Sequence, residues 1–141
     1  MHKIRLSRDE IRYIMLFESM TGAKVRDCVE SEDMMGFVVN EGDMGLAIGK
    51  KGVNIEKVKH SFKKAIWVIE HSEKPDKFIR NMFYPVKIKK VRIKEEENIA
   101  SIEVSRYDRN KIIGSEGKKI KMARRLLDRH FNLKDLAVKT Q

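Results

Sequence analysis

The sequence predicts an α+β protein in which one α-β-β-α-α-β unit occurs twice. The first observation is a repeated motif, Ile-Gly-Lys-Lys-Gly at residues 48–52 and Ile-Gly-Ser-Glu-Gly at residues 113–117, so the second copy follows the first by 65 residues. The second is that each motif lies between a short apolar run and a Lys/Arg-rich stretch with helical periodicity. The third is that the same order of elements can be assigned in both halves. Together they favour two tandem domains, residues 1–72 and 73–141, each with a three-stranded sheet packed on helices.

The first helix and hairpin are predicted from capping and alternation. Ser7 and Glu10 form a Ser-x-x-Glu capping box, and Gly22 is a suitable helix stop. Residues 24–29 and 35–39 alternate in polarity on either side of a polar turn, which predicts a β-hairpin.

The remaining elements of the first half follow from short-range signals. Asp43 is expected to cap a short helix that ends at Ile48, and apolar residues at helical spacing predict a longer helix after Gly52. Residues 65–69 are apolar and β-prone, which predicts a strand. The polar segment 71–74 is the predicted linker to the second half.

The second half repeats this order. Pro75 fits the first turn of a helix that ends at Pro85, and a strand with one irregularity between 88 and 91 is predicted over residues 86–93. A turn at 95–98 leads to a strand at 99–104. The last three predicted elements are a short helix at 107–113 capped by Asp108, a long helix after Gly117 and a closing strand at 133–138.

The charge of the chain favours a polyanionic partner. The 141 residues carry a net charge of +10, and the pI is near 9.7. Such a one-sided charge indicates nucleic acid or an anionic surface rather than a cationic target, with a basic protein that lacks such a partner as the alternative. Charged residues make up 37% of the chain, and this richness in Lys and Glu is typical of thermophile surfaces.

Nothing in the sequence indicates a membrane or secreted protein. No apolar run approaches the roughly 18 residues needed to span a bilayer, and the charged N-terminus does not resemble a secretory signal. The single cysteine, Cys28, lies in an alternating apolar segment and is expected to be a buried free thiol. We therefore expect a cytoplasmic protein.

The repeated unit resembles the KH domain. An Ile-Gly-x-x-Gly motif between a short and a long helix, preceded by a hairpin and followed by a strand, is the KH arrangement, and this element order is that of the prokaryotic type II form. Two such domains in tandem, over nearly the whole chain, are similar to the KH region of the transcription factor NusA, and more particularly to short archaeal NusA-like proteins. The resemblance implies an RNA-binding protein that acts in transcription elongation, termination or antitermination.

The resemblance also implies the binding residues. In KH domains the Gly-x-x-Gly loop clamps the backbone of about four nucleotides of a single strand. In the first copy the implied residues are Ile48, Gly49, Lys50, Lys51 and Gly52. In the second copy they are Ile113, Gly114, Ser115, Gly117, Lys118 and Lys119. The two isoleucines would lie under the bases, with plain core packing as the alternative. For the four glycines the alternative is a tight turn without a ligand, and for the four lysines it is solvated surface charge.

The second motif departs from the first in charge. Ser115 and Glu116 stand where the first copy has Lys50 and Lys51, and a carboxylate opposes the approach of phosphate. The second domain is therefore expected to bind RNA more weakly, or along a tilted path. The polymerase-binding and S1 domains of bacterial NusA are not recognised in these 141 residues, so a direct contact with RNA polymerase stays open.

Catalysis is not predicted. A P-loop is excluded because three residues, not four, separate Gly45 from Gly49 and because Lys50 is followed by a lysine. The histidines lack metal-ligand spacing, so we expect neither a metal nor a cofactor. The leading interpretation is a single-stranded RNA-binding transcription factor. The alternative is a ribosome-associated or RNA-assembly protein that uses KH domains as a scaffold, and a small nucleotide-dependent enzyme is disfavoured.

Overall fold

The computed structural model describes residues 4–141. Residues 1–3, with which the predicted first domain begins, lie outside the described residues. Contacts within the chain divide it into two compact units, one containing Arg5–Ser72 and the other containing Glu73–Gln141. We call them the first and the second unit.

The first unit has the element order α-β-β-α-α-β. Its elements are α1 (Arg8–Thr21), β1 (Val25–Glu30), β2 (Met34–Val39), α2 (Met44–Ile48), α3 (Val53–Phe62) and β3 (Ala65–Glu70). The sheet order is β1-β2-β3; β1 is antiparallel to β2, and β3 is parallel to it. A single irregularity interrupts the β1–β2 register between Val25 and Asp27.

The second unit repeats the topology. Its elements are α4 (Pro75–Phe83), β4 (Lys90–Lys94), β5 (Ile99–Val104), α5 (Arg109–Ile113), α6 (Lys118–Phe131) and β6 (Asp135–Thr140). The sheet order is β4-β5-β6, again with one antiparallel and one parallel pair. The predicted α+β class, with two three-stranded sheets packed on helices, is confirmed.

The predicted start and stop of α1 are confirmed at atomic detail. The Ser7 hydroxyl accepts a hydrogen bond from the Glu10 backbone N–H at 3.1 Å, and the Glu10 carboxylate accepts one from the Ser7 N–H at 2.8 Å. Gly22 ends the helix in the left-handed conformation, with φ +81°. Both ends of α1 therefore follow from local sequence alone.

Each unit has its own apolar core. In the first unit, the rings of Phe17 on α1 and Phe37 on β2 stack with centroids 4.3 Å apart, and Cys28 is buried in the same core as a free thiol, as predicted. In the second unit, Phe78 on α4 contacts Phe131 on α6 edge to face at 5.2 Å. The apolar face of α6 contributes four buried residues to this core: Ile120, Ala123, Leu126 and Leu127.

The predicted strand at 86–93 is wrong over its first half. β4 begins only at Lys90, and the pairing with β5 is regular from there to Lys94. Before it, a turn forms in which the Val86 N–H donates to the Phe83 carbonyl. The Arg80 guanidinium then donates to the carbonyl of Ile88 at 2.7 Å, so that this carbonyl is bonded to a side chain. Ile88 is apolar because it is buried in the core, although it is not part of the strand, and its alternation with Val86 therefore resembles a strand pattern.

The prediction that two aspartate side chains cap the short helices is wrong. Asp43 and Asp108 occupy the N-cap positions of α2 and α5, but neither side chain caps its helix. The Asp43 carboxylate accepts instead from the Lys24 N–H at 2.9 Å. Asp108 pairs with Lys111 at 3.4 Å. Tyr107, predicted as the first residue of the short helix, lies outside it.

The end of the first unit, at the start of the predicted linker, adds one hydrogen bond to the first sheet. The His71 N–H donates to the Val39 carbonyl at 2.8 Å, and both His71 and Ser72 are buried. Within residues 4–141, no helix combines the length and apolar character that crossing a membrane requires.

Candidate nucleic-acid interface

The first glycine loop connects the end of α2 to the start of α3 through a 3-10 turn at Lys50–Gly52. Gly49 has φ +78° and ψ 168°, Lys51 has φ +56°, and Gly52 has φ +76°. The Gly52 N–H donates to the Gly49 carbonyl at 3.0 Å and closes the turn. The loop thus depends on positive φ at both ends, which glycine adopts at low cost.

The second glycine loop has the same backbone although its inner residues differ. Gly114 has φ +77° and ψ 170°, Glu116 has φ +55°, and Gly117 has φ +72°. The Gly117 N–H donates to the Gly114 carbonyl at 3.1 Å. The conformation therefore depends on the glycines and the flanking helices rather than on the residues between the glycines.

The first glycine of each loop is required by a close approach of the following helix. A Cβ at Gly49 would lie 2.7 Å from Cγ and 2.8 Å from the backbone N of Asn54. At Gly114 it would lie 2.6 Å from the Cβ of Lys119. At Gly52 the nearest atom would be 3.8 Å away, so that position needs glycine only for its φ.

Asn54 fastens the first loop, although it is not among the predicted site residues. Its side-chain Nδ2 donates to the backbone carbonyl of Leu46 at 2.8 Å, which links the first turn of α3 to α2. The sequence does carry a signal for it: a polar residue two positions after the second glycine falls where its side chain can turn back onto the preceding short helix. In the second loop the equivalent position, 65 residues later, is Lys119.

Lys119 is directed into the second unit. Its ammonium lies 5.8 Å from the centroid of the buried Phe83 ring on α4. Partial burial lowers the pKa of the Lys119 ammonium because desolvation disfavours the charged form. Its predicted role in RNA binding stays a prediction.

The charges of the two loops differ as their sequences indicate. Lys50 and Lys51 are exposed, and so are Ser115 and Glu116. The Lys118 ammonium lies 3.9 Å from the Glu116 carboxylate. The first loop thus presents two cations, whereas in the second a carboxylate is paired with the nearest lysine.

The two isoleucines before the glycines are not equivalent. Ile48 is 36% exposed, and together with the exposed Leu46 and Val53 it gives the first loop an apolar border. Ile113 is half-buried. Core packing therefore does not fully account for Ile48.

A basic depression of about 830 Å³ lies beside the first loop. It is lined by Lys50, Lys51, Val53, Glu56, Lys57 and His60. Val53, Lys57 and His60 are not among the predicted site residues, but they share one face of α3 because they are spaced three or four residues apart. This helical spacing is readable from the sequence.

The chemistry of this surface is that of cations and backbone donors. Within residues 4–141, no group of three or more His, Cys, Asp or Glu side chains is arranged to hold a metal ion. Apart from the Glu116 carboxylate, the groups that the loops present are cations, hydroxyls, apolar side chains and backbone N–H groups, and these groups contact phosphates, sugars and bases.

Comparison with known families gives two matches. Residues 10–98 match the KH domain, and residues 75–141 match the NusA-like second KH domain.

Three comparisons with single proteins cover nearly the whole chain. The probable transcription termination protein NusA of Methanocaldococcus jannaschii is 35% identical over 98% of this chain and 76% of its own length. The protein of the same name from Halococcus morrhuae is 35% identical over 95% of this chain and 97% of its own. The crystal structure of APE1850 superposes with a TM-score of 0.80 at 32% identity, covering 95% of this chain and 100% of that one.

Proposed function

Because the chain belongs to the NusA family of proteins with KH domains, we propose that it binds single-stranded RNA through both glycine loops and acts on nascent transcripts in termination or antitermination. The observation that carries this proposal is the shared conformation of the two loops, each of which leads into the N-terminus of a long helix. In this proposal the protein works in the cytoplasm, without a catalytic step.

The geometry suits the backbone of an unpaired strand. A loop without side chains at its first and last positions lets phosphates approach the peptide groups closely. Neither Gly52 nor Gly117 has a side chain to cap the helix that follows it. The first-turn N–H groups and the positive end of the helix dipole therefore favour an anion.

The first loop is proposed to bind more strongly than the second. Lys50 and Lys51 add two exposed cations at the point where phosphate would approach. In the second loop Lys118 is next to Glu116, so part of its charge is already compensated. Because phosphate contacts supply most non-specific affinity, the difference in charge should become a difference in affinity.

Salt dependence of binding tests the proposal. The affinity of the full chain for a fluorescent single-stranded RNA of about 15 nucleotides should fall by roughly 0.7 log units per log unit of salt for each phosphate neutralised, which gives a slope of about 2 to 5 for two small sites. A slope near zero would contradict phosphate clamping.

Charge reversal tests the ranking of the loops. The double variant Lys50→Asp, Lys51→Asp should weaken RNA binding more than Ser115→Asp does, when anisotropy is measured on variants whose folding has been checked by circular dichroism. The opposite ranking would show that the second loop dominates.

A ribosome-associated or RNA-assembly role, in which the KH domains would act mainly as a scaffold, is the second candidate. Crosslinking the protein in cell extract and sequencing the attached RNA separates the two. Nascent messenger transcripts together with co-purified RNA polymerase support the transcription role, and ribosomal RNA alone supports the other.

A further inference from the structure

Tyr107 is an aromatic side chain held out in solvent on a defined turn. It lies between β5 and α5 and is 79% exposed, whereas the Phe78 and Phe83 rings of the same unit are buried. Its backbone N–H donates to the Ser105 hydroxyl at 3.2 Å, and the Asp108 N–H donates to the Ser105 carbonyl at 2.9 Å. Two hydrogen bonds to Ser105 thus fix the backbone on which the ring is presented.

Arg106 accompanies the ring. Its guanidinium carbon lies 5.3 Å from the ring centroid, and its Nη2 is 3.4 Å from the Tyr107 hydroxyl. The guanidinium and the phenol therefore lie together as two planar groups on the surface. The neighbouring carboxylate of Asp108 is paired with Lys111 at 3.4 Å, so it does not leave this surface acidic.

The pair precedes α5, the short helix that leads to the second glycine loop. α5 begins two residues after Tyr107 and ends immediately before Gly114. A helix of this length spans only about 7.5 Å at 1.5 Å per residue. A strand of about four nucleotides that is clamped by the loop and runs along α5 would bring a base within reach of the ring.

The first unit has no counterpart to this pair. The positions 65 residues earlier are Glu41 and Gly42, a carboxylate and a residue without a side chain. Each unit thus has a feature that the other lacks. The first has two lysines in its loop, and the second has an aromatic-guanidinium pair before the short helix that leads to its loop.

We propose that Tyr107, supported by Arg106, is a stacking site for an unpaired nucleobase, through which the second unit holds the strand that its glycine loop clamps. The inference rests on the proposed RNA-binding function and deepens it. Bases stack on exposed tyrosine rings and on arginine planes with little regard to sequence. The basic side chains around the turn favour a nucleic-acid strand as the occupant over a cationic or apolar protein surface.

Stacking makes a prediction that a charge contact does not. The loss of a neutral ring should lower the affinity by the same factor at low and high salt and should leave the salt slope unchanged. The test uses the full chain and a fluorescent single-stranded RNA of about 15 nucleotides at two salt concentrations. Tyr107→Ala should weaken binding roughly tenfold at both, and Tyr107→Phe should bind like the wild type.

Two further variants keep the test specific. Tyr107→Leu preserves an apolar side chain without a π-face and should bind as weakly as Tyr107→Ala. Tyr84→Ala removes another exposed tyrosine of the same unit, 81% exposed, and should change binding less than Tyr107→Ala does. Wild-type affinity for Tyr107→Ala or Tyr107→Leu, or an equal loss for Tyr84→Ala, would overturn the stacking site.

The failure of this inference can be told apart from failure of the proposed function. If Lys50→Asp, Lys51→Asp weakens binding while Tyr107→Ala does not, RNA binding stands and the stacking site is rejected. If the wild-type chain does not bind the RNA, both are rejected. If Tyr107→Ala leaves RNA affinity unchanged but abolishes co-purification of a protein from nuclease-treated extract, the surface serves a protein partner and the stacking site is again rejected.

Discussion

The side-chain nitrogen of Asn54 donates a 2.8 Å hydrogen bond to the backbone oxygen of Leu46, so the start of α3 is joined to α2 across the first glycine loop. Gly49 makes this possible, because a Cβ there would lie 2.7 Å from the Cγ of Asn54. The loop is thus held from its far side by a residue that is not part of the glycine motif.

Removing this bond should loosen the first loop. We expect Asn54→Ala to lower the free energy of unfolding by about 1 kcal/mol, since a hydrogen bond contributes roughly that much net, and to weaken RNA binding as well. Urea denaturation and RNA anisotropy measure the two effects. Asn54→Leu, which keeps a side chain of similar size without a hydrogen-bond donor, should show the same loss. Unchanged RNA affinity in both variants would mean that the bond does not position the loop.

The two glycines of the first loop should differ in their tolerance of alanine. Gly52→Ala requires only a left-handed backbone, which costs about 1 to 2 kcal/mol. Gly49→Ala adds a clash with the backbone of Asn54 in a region of φ and ψ that is essentially restricted to glycine, so we expect it to cost more than about 2 kcal/mol. Urea midpoints of the two variants give the ranking, and Gly45→Ala, where a Cβ meets nothing within 4 Å, is the matched control. Equal midpoints for the two loop variants would mean that the helix yields to the added Cβ.

Reversing the charge of Glu116 should strengthen the second loop. Glu116→Lys removes the carboxylate beside Lys118 and adds a cation, so RNA affinity at low salt should rise several-fold and the salt slope should increase by about 0.7. Glu116→Gln, which removes the charge only, should give a smaller gain. If neither variant changes affinity, the second loop does not contact phosphate.

Because Lys119 is partly buried, stability should depend on pH in the alkaline range. Burial lowers the pKa of Lys119 in the folded state below its usual 10.5, so the folded protein binds fewer protons than the unfolded chain between the two pKa values. The wild type should therefore gain stability as the pH rises through this window. Lys119→Met should lack that gain in urea denaturation at about pH 7 and about pH 10, and the exposed Lys50→Met should retain it. Equal pH dependence in the wild type and Lys119→Met would exclude Lys119 as its source.

The division into domains at residues 72 and 73 is itself a prediction that can be tested by truncation. The fragment 5–72 contains a complete sheet and the Phe17–Phe37 core contact. We expect it to unfold cooperatively on heating, although with low stability because a domain of this size buries a small core. A fragment without native circular dichroism would show that the first unit needs the rest of the chain.

Sequence patterns were informative where structure depends on neighbours in the chain. The Ser7–Glu10 capping box, the stop at Gly22 and the two glycine loops could be predicted because the bonds that form them lie within a few residues. The wrongly predicted cap at Asp43 depends on a distant partner. Asp43 bonds to Lys24, 19 residues away, and no local pattern distinguishes that bond from a helix cap.

The same reasoning explains the start of β4 and the environment of Lys119. Ile88 has the apolar character of a strand residue, but its carbonyl accepts a hydrogen bond from the Arg80 side chain. These two groups meet only in the folded chain. Lys119 follows a glycine motif as a binding lysine would, yet its ammonium lies over Phe83, which is 36 residues earlier in the sequence. Polarity alone did not indicate either contact.

The near-identity of the two glycine turns, despite Lys-Lys in one and Ser-Glu in the other, separates shape from charge in this protein. Substitution of the two residues between the glycines can change the electrostatic attraction of the turn for an anion while its backbone conformation stays the same. Two duplicated domains that start with equal affinity for a strand can therefore diverge into a strong and a weak binding site through two substitutions. Protein design could reverse that divergence in the same way.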